Sequence, residues 1–462
     1  MKRLLTYMLA ISLVGAVTLV ASPSSQAAPD VVLDSQFRAC LDGYLQGTTG
    51  EISVSQLQSI TGSVECNGYS ISSLEGAQYL TNISELYLNL DDYQISDISP
   101  LASLTNLVTL SILHTKVSDI SPLAALTNLI ELALVDNQIS DLSPLALLPA
   151  LEELNLEYNQ ITDVSPLASL STLMGLDLGA NPIVDVTPLL GLSNLSFLAL
   201  CDTGISDLTA VADLTQIGSL DLSYNQISNL APLAKLTGLY QLVLTGNDLT
   251  DLTVLAKLTN ISHLDLSNNL ISDLTPLAKL TNLYYLNLDV NQISDLSPLA
   301  TLTDLHTLYL DYNNISDLTP LSKLTDLYQL TLDNNAISNL APLSKLTNLE
   351  YITLNENQVS DLSPLSKLSI SYVSAWEQSL TAKASVGTKQ PLPKVTGLYP
   401  LEWTVISGDA KITGNTITYG KTGTVVLYFN DDTIYDGHVA VTVGPKVIQP
   451  PIAVLTGGTV IA

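Results

Sequence analysis

Apolar residues return along most of this chain with a period of 22. An L-x-L doublet recurs as Leu110-Ser-Ile112, Leu132-Ala-Leu134, Leu154-Asn-Leu156 and so on to Ile352-Thr-Leu354. Alternate residues of an extended chain point to opposite faces, so each doublet predicts a short strand with one apolar and one polar face. Three residues beyond each doublet stands a polar residue in register: Thr115, Asn137, Asn159, Asn181, Thr203, Asn225, Asn247, Asn269, Asn291, Asn313, Asn335 and Asn357. Two further turns precede these. Leu86-Tyr-Leu88 runs to Ile95 with two extra residues, and Val64-Glu-Cys66 runs to Ile71. The count is about 14 coils. One coil cannot bury its own leucines, whereas coils stacked at ~4.8 Å per step form a continuous parallel sheet over a shared core. The registered Asn is then structural: its amide satisfies backbone groups where the strand turns away, each worth about 1–3 kcal/mol if orphaned.

The return path of each coil carries D-[IVL]-[ST]-P-L. Asp occupies 97, 119, 141, 163, 185, 207, 251, 273, 295, 317 and 361, with Asn at 229 and 339, and Pro follows three residues on except at Ala210 and Val254. Ser or Thr before Pro reads as an N-cap followed by N1, and the acids, favoured by the helix dipole, read as mostly capping in preference to metal or catalytic groups. A 22-residue coil leaves room for a 3₁₀ turn on this convex side. Lys235, Lys257, Lys279, Lys323, Lys345 and Lys367 form a column there, which serves solubility.

Both flanks break the period. Lys2 and Arg3 precede an apolar run, Leu4 to Val20, and Ser25-Gln26-Ala27 offers a cleavage site, the pattern of a secretory signal peptide; the competing reading is an uncleaved anchor. Phe37 to Leu41 and Ser55 to Leu57 predict two short helices ahead of the first coil. After Val373-Ser-Ala-Trp376 the coil pattern stops. Leu401–Ile406, Thr416–Tyr419, Val425–Phe429 and Val439–Val443 then read as strands punctuated by glycines, a small β-sandwich. Its sheet edge is placed to cover the open end of the solenoid.

The repeat L-x-L-x-x-N-x-I-S-D-[IL]-S-P-L-[AS]-x-L-T-N-L resembles that of the internalins and related secreted bacterial leucine-rich repeat proteins, over about Val64 to Ser369. The resemblance implies a helical cap before the first coil and an immunoglobulin-like domain fused to the last. The expected architecture is an α/β solenoid dominated by parallel β-structure, a leucine-rich repeat of about 14 coils with a 3₁₀ convex side, a small α-helical N-terminal cap and a C-terminal Ig-like β-sandwich. The expected boundaries are signal peptide 1–27, cap 28–63, solenoid 64–370, Ig-like domain 371–444 and linker-like tail 445–462. No L-P-x-T-G sorting signal or Gly-Trp wall-binding module follows, so the protein is either released or its anchor lies outside this sequence.

Composition narrows the function. The 44 acidic residues against 16 basic ones give a net charge of -28, which disfavours nucleic acid and anionic lipid as partners. Only 13% of residues are charged and 46% are hydrophobic, so the chain folds despite that charge. Three cysteines cannot all pair: Cys40 and Cys66 either form a disulfide or remain two small buried thiols, and Cys201 is left over. No nucleophile motif, zinc spacing or phosphate loop is present, and His263 and His306 fall on the inner sheet two coils apart. The expectation is a protein that is not an enzyme and takes no cofactor or catalytic metal.

What remains is the concave surface beside each L-x-L. Early coils place Glu131, Glu153, Glu157, Asp177, Phe197 and Cys201 there; later ones place Asp221, Asp265, Tyr285, Asp289, Tyr309, Asp311, Tyr312, Asp333 and Tyr351, with Tyr240, Tyr284 and Tyr328 alongside. Most of the inner Tyr are expected in coils ten to thirteen. Tyr is favoured in binding surfaces, and 20 Tyr against 3 Phe and 2 Trp fits that use. Asp289, Asp311 and Asp333 share a column; neighbours ~4.8 Å apart repel by about 0.9 kcal/mol in water, so the column is either solvated or neutralised by a basic partner or a hard cation such as Ca²⁺. The expected ligand-binding set is Tyr285, Asp289, Tyr309, Asp311, Tyr312, Asp333, Tyr351, Asp265, Phe197, Glu153 and Glu157. The implied function is a secreted, monomeric module, released or held at the cell surface, that engages a host surface or extracellular protein bearing a basic patch. The alternative is a bacterial envelope protein with no host partner.

Overall fold

The computed structural model describes residues 31–45, 50–90, 94–183, 185–387, 389–397, 400–431 and 434–445. The signal segment and most of the tail lie outside them. Fourteen short parallel strands, from Gly62–Glu65 in coil 1 to Tyr351–Thr353 in coil 14, form one ladder. The register is that of the repeat: His263 pairs with Tyr285, Tyr285 with Thr307, Thr307 with Gln329 and Gln329 with Tyr351. Between Glu85 and Thr109 it widens to 24, absorbing the two extra residues. Inside, the residues of a single coil, Leu286, Leu288, Ile293, Leu296, Leu299, Leu302 and Leu305, are at most 1% exposed. Each fully buried side chain of this size contributes about 1.5–3 kcal/mol.

Stacking leaves a problem that leucine cannot solve. Where each strand turns into its return path, backbone groups are buried without a strand partner. The registered Asn answers it across the coil boundary. The Asn291 Nδ2 donates to the carbonyl of Leu266 one coil back at 3.0 Å and to those of Leu288 and Asp289 at 3.1 Å. Its Oδ1 accepts the N–H of Ile271, also one coil back, at 3.0 Å. The same set recurs at Asn269, Asn313 and Asn335. To aim this side chain inward, the preceding residue adopts positive φ in almost every coil, including Tyr158 (55°), Val290 (54°) and Tyr312 (55°). Left-handed backbone costs a β-branched residue such as Val290 roughly 1–2 kcal/mol.

The convex side is built from 3₁₀ turns such as Ser297–Thr301, with Pro inside the first turn. Here the expected Ser/Thr N-cap is corrected. The registered Asp does the capping: Asp295 Oδ1 accepts the Ser297 N–H at 2.8 Å, and Asp251 accepts the Thr253 N–H at 2.8 Å. The Thr253 hydroxyl and N–H hold the Asp251 carboxyl below its usual range. A second Asn column, in the T-N-L triplet, runs along the surface: Asn260 donates to the Thr237 carbonyl at 2.8 Å and Asn282 to that of Thr259 at 3.0 Å.

Both ends are closed. Helix Ser35–Asp42 is capped by Asp34, whose Oδ1 accepts the Gln36 and Phe37 N–H groups at 2.9 Å and whose Oδ2 accepts the Ser72 hydroxyl at 2.6 Å. Cys40 and Cys66 form a disulfide, with Cα atoms 5.5 Å apart, that ties this helix to coil 1. At the other end, strand Tyr372–Ser385 starts as a fifteenth solenoid strand beside Tyr351–Thr353 and continues into the second domain beside Tyr435–Gly444. Gly423–Asn430 and Glu402–Ser407 complete that sheet. A three-stranded sheet of Lys389–Pro391, Thr416–Tyr419 and Ala410–Thr413 faces it over Ile417, Tyr419, Leu427, Phe429 and Val441. The Lys389–Pro391 and Ala410–Thr413 strands carry too few apolar residues to have been read from sequence.

The junction is a continuation of the ladder. Gln378 stands where the fifteenth Asn would be. Its Nε2 donates to the Leu354 carbonyl at 2.8 Å and its Oε1 accepts the Val359 N–H at 2.8 Å, the two cross-coil bonds of an ordinary ladder Asn. Tyr435, fully buried, donates its hydroxyl to the Val359 carbonyl at 2.9 Å. Gly437 is required here, since a Cβ would meet the Gln378 backbone nitrogen at 2.8 Å.

Two stability predictions follow from the ladder. Asn291→Ala strands the Ile271 N–H and three carbonyls and is expected to cost at least about 1–3 kcal/mol in urea denaturation; a loss under about 0.5 kcal/mol would show that water replaces the amide. Val290→Asn, which tolerates left-handed backbone, is expected to gain about 0.5–1 kcal/mol by the same measurement.

Candidate functional site

Strand alternation turns three residues per coil toward the concave face. In coils 11 to 15 the first column reads Tyr285, Thr307, Gln329, Tyr351, Tyr372; the second Asn287, Tyr309, Thr331, Thr353, Ser374; the third Asp289, Asp311, Asp333, Asn355, Trp376. The inner tyrosines of the expected set thus stand in coils 11, 12 and 14. Tyr285 and Tyr309 meet in a tilted contact with centroids 5.6 Å apart, and Tyr351 stacks on Tyr372 at 4.5 Å.

Beside the first column runs a ledge of rings. Tyr284, His306 and Tyr328 stack at 4.7 and 5.0 Å with planes within 14°. His306 therefore sits one residue ahead of its strand, in the ledge and not on the inner sheet, while His263 does lie on its strand and stacks on Tyr285 at 6.1 Å. Rings in offset or tilted contact each add about 0.5–1.5 kcal/mol beyond the area they bury, so the ledge is preorganised. The signal was present in the 22-residue register of 284, 306 and 328; reading His306 with the strand hid it. Tyr312 belongs to neither group. It is 57% exposed on the left-handed turn at the edge of the sheet, in the column of Tyr158 and Tyr224.

The Asp column is not a row of solvated charges. The Asp311 N–H donates to Asp289 Oδ1 at 2.6 Å, the Asp333 N–H to Asp311 Oδ1 at 2.6 Å and the Asn355 N–H to Asp333 Oδ1 at 2.7 Å. Each half-buried carboxylate thus caps a backbone donor of the next coil. Elsewhere the same donor is capped from within its own strand: Asp177 accepts from Gly179, Asp221 from Ser223, Asp265 from Ser267 and Asn287 from Asp289. The switch follows the second column. Where Tyr309, Thr331 and Thr353 replace Asp or Asn, the acceptor comes from the coil before.

Packing these acids together has an electrostatic consequence. Burial, and then the charge of Asp311, pushes Asp289 up to about 7; burial likewise raises Asp311 to about 6. Burial and the Asp265 carboxylate push the Tyr285 phenol up to about 12. Among the described residues no group of three or more His, Cys, Asp or Glu is arranged to hold a metal ion, so the Ca²⁺ reading of this column gains no support.

Glu153, Glu157 and Phe197 belong to a different region, coils 5 to 7, about 19 Å or more from Tyr285 at ~4.8 Å per coil. There a shallow concavity of about 590 Å³ is lined by Tyr87, Glu131, Glu153, Asp177 and Phe197. Gly175 opens it, since a Cβ there would overlap the Glu153 carboxylate. Burial, and then Glu131, raises Glu153; burial, and then Asp177, raises Glu157. Burial, then Asp221 and Asp177, pushes the Cys201 thiol up to about 12, so it stays protonated and is no nucleophile. The expected set is thus two zones, an acidic one and an aromatic one.

A leucine-rich repeat family model, described as leucine rich repeats in two copies, matches residues 127–169, 259–301 and 303–345. Comparison with curated protein sequences gives no match. Among solved structures, an internalin (inlF) from Listeria monocytogenes is 35% identical, with a TM-score of 0.64 over 72% of this chain and 98% of that one. The functional domain of InlJ from the same organism gives 23% identity and a TM-score of 0.61 over 89% of this chain and 97% of its own. A leucine-rich repeat protein of Leptospira interrogans gives 23% and 0.57 over 76% and 93%. These last two show the fold alone.

The raised acids set a pH test. An acid whose folded pKa exceeds its unfolded value of about 3.9 favours the fold when protonated; that contribution is complete below about pH 4 and is lost as pH rises through 6 to 7. The groups facing Asp289 are Asp265, Asp311 and Asp333, all of the same sign. The urea midpoint is therefore expected to fall between pH 5 and pH 8, and Asp289→Asn to flatten the slope. A slope unchanged in that variant would remove the ladder as its source.

Proposed function

The chain belongs to the internalin family of bacterial leucine-rich repeat proteins, and from that premise we propose that its aromatic concave zone, coils 10 to 15, engages a host surface or extracellular protein. Family membership supports a protein-binding module, and no helix among the described residues is long and apolar enough to cross a membrane. Family membership supports an extracellular location. The observation that carries the reading is the set of preorganised rings, the Tyr284–His306–Tyr328 stack and the pairs Tyr285–Tyr309 and Tyr351–Tyr372, on the face that carries the Asp289–Asp333 column. Large rigid side chains lose little entropy on binding, which is why Tyr concentrates in hot spots. The adjacent carboxylates favour a partner with a basic patch and speed its encounter at low salt. Tyr285, Tyr309, Tyr351, Asp289, Asp311 and Asp333 form the proposed contact set, with Asp265 beneath Tyr285 and Tyr312 at the rim. Glu153, Glu157 and Phe197 form a separate acidic surface.

Capture from host-cell ectodomains, run in parallel with the bacterium's own wall fraction, tests this directly. The host fraction is expected to yield the partner, and Tyr285→Ala with Tyr309→Ala to weaken its binding by at least about tenfold. Capture from the wall fraction alone would instead favour an envelope role, and unchanged binding by the double variant would move the contact off this face.

A further inference from the structure

Between coil 6, which carries Asn181, and coil 7, which carries Thr203, the ties on the convex side fall away together. Asn181 binds coil 6 to coil 5: its Nδ2 donates to the Leu156 carbonyl at 2.9 Å and its Oδ1 accepts the Ile161 N–H at 3.0 Å. Asn225 binds coil 8 to coil 7 through the Leu200 carbonyl at 2.8 Å and the Ile205 N–H at 3.0 Å. Thr203 does not reach back. Its hydroxyl donates to the Leu200 carbonyl of its own coil at 3.0 Å, and the Ile183 N–H turns to the Asn181 carbonyl at 2.8 Å. A second tie runs from the residue after the ladder side chain to a carbonyl one coil back. It joins Gln160 to Ile139 at 2.9 Å and Gln226 to Ile205 at 3.2 Å, but among the described residues Gly204 makes no such bond to Ile183. The 3₁₀ turn also shrinks, to Val211–Asp213 where Ala210 replaces Pro, against Ser297–Thr301 in coil 11. A groove of about 770 Å³ opens there, lined by Ile183, Val186, Leu190, Ile205 and Ala210. Ile205, Leu214 and Val186 are 8%, 5% and 4% exposed, where their equivalents Ile293, Leu302 and Leu296 are 0%, 0% and 1%.

Neither change opens a boundary by itself. Thr115 also replaces Asn, yet the Lys116 N–H still donates to the Ile95 carbonyl at 2.7 Å and the turn Ser121–Ala125 is complete. Val254 also replaces Pro, yet Asn247 keeps its cross-coil bonds at 3.0 and 2.9 Å and the turn Thr253–Lys257 is complete. On the concave side coils 6 and 7 stay paired, Leu176 with Leu198, and the Ala180 N–H donates to the Cys201 carbonyl at 2.7 Å. We propose that this boundary is a hinge, with the strand ladder as its axis and the convex groove as the space it opens and closes. Coils of a solenoid touch only their neighbours, so the stack bends at its weakest interface, and local opening follows the loss of buried contacts and hydrogen bonds. Spreading the convex turns about a fixed sheet tightens the concave arc. Glu153 and Glu157 in coil 5 then swing toward the rings of coils 11 to 15. The hinge is a property of the scaffold and stands whatever partner the concave face takes.

Hydrogen–deuterium exchange on the full chain reads the opening. Segments 185–192 and 203–214 are expected to show protection factors at least about tenfold lower than their equivalents 295–302 and 313–324, the worth of one lost hydrogen bond. Dipolar distance measurement between nitroxides separates a hinge from local fraying. In a Cys201→Ser background, Leu147→Cys with Lys257→Cys spans the boundary, and Lys257→Cys with Lys367→Cys spans an equal number of repeats beyond it. All three positions are exposed on the convex side. The first pair is expected to give the broader distance distribution. Thr203→Asn returns an amide to the position that faces the Leu178 carbonyl and the Ile183 N–H, and is expected to narrow that distribution to the width of the second pair and to raise the protection of 185–192. Equal widths for the two pairs, uniform protection along the solenoid, or a Thr203→Asn variant as broad as its parent would each overturn the hinge.

Discussion

The solenoid depends on a buried amide in each coil. Leucine burial drives the stack, but a coil that turns through nearly a full circle inside a dry core leaves N–H and C=O groups that no strand can pair. The ladder side chain satisfies them across the boundary, with one oxygen and one NH₂ reaching back to the preceding coil. It therefore fixes spacing and register together, which apolar contact alone cannot do. The left-handed residue before it is the strain accepted for aiming it inward.

Seen this way, the second domain is the ladder's last step. Gln378 makes the two cross-coil bonds of an Asn with one more methylene, in a coil one residue shorter than its predecessors. The strand that begins there runs on into the sandwich, and Tyr435 reaches back to the coil 14 return path. The open edge of the solenoid is thereby paired, as the disulfide and the Asp34-capped helix shield the first coil at the other end.

The concave face obeys the same need for acceptors, and its chemistry grows out of it. An Asp or Asn in the second column caps the donor two residues on within its own strand. Freeing that column for Tyr309, Thr331 and Thr353 moves the task to the third column, and Asp289, Asp311 and Asp333 take it up. The acidic column of the proposed site is thus also part of the scaffold, its carboxylates fixed by the backbone donors they cap. This couples the site's protonation to the stability of the coils beneath it.

The period of 22 determined the fold: strand, inward leucines, ladder Asn, convex 3₁₀ turn and the number of coils are all local patterns that repeat. It equally placed Tyr285, Asp289, Tyr309, Asp311, Asp333 and Tyr351 on one face, since alternation along a strand is dictated residue by residue. Four things were decided only by the stacked structure. His306 joined a ring stack beside the sheet, the Asp column became a set of caps, Gln378 stood in for Asn, and Cys40 met Cys66. Each depends on which atoms of one coil fall within about 3–5 Å of the next. That distance is set by packing between residues some twenty or more positions apart, and no pattern within a single coil encodes it.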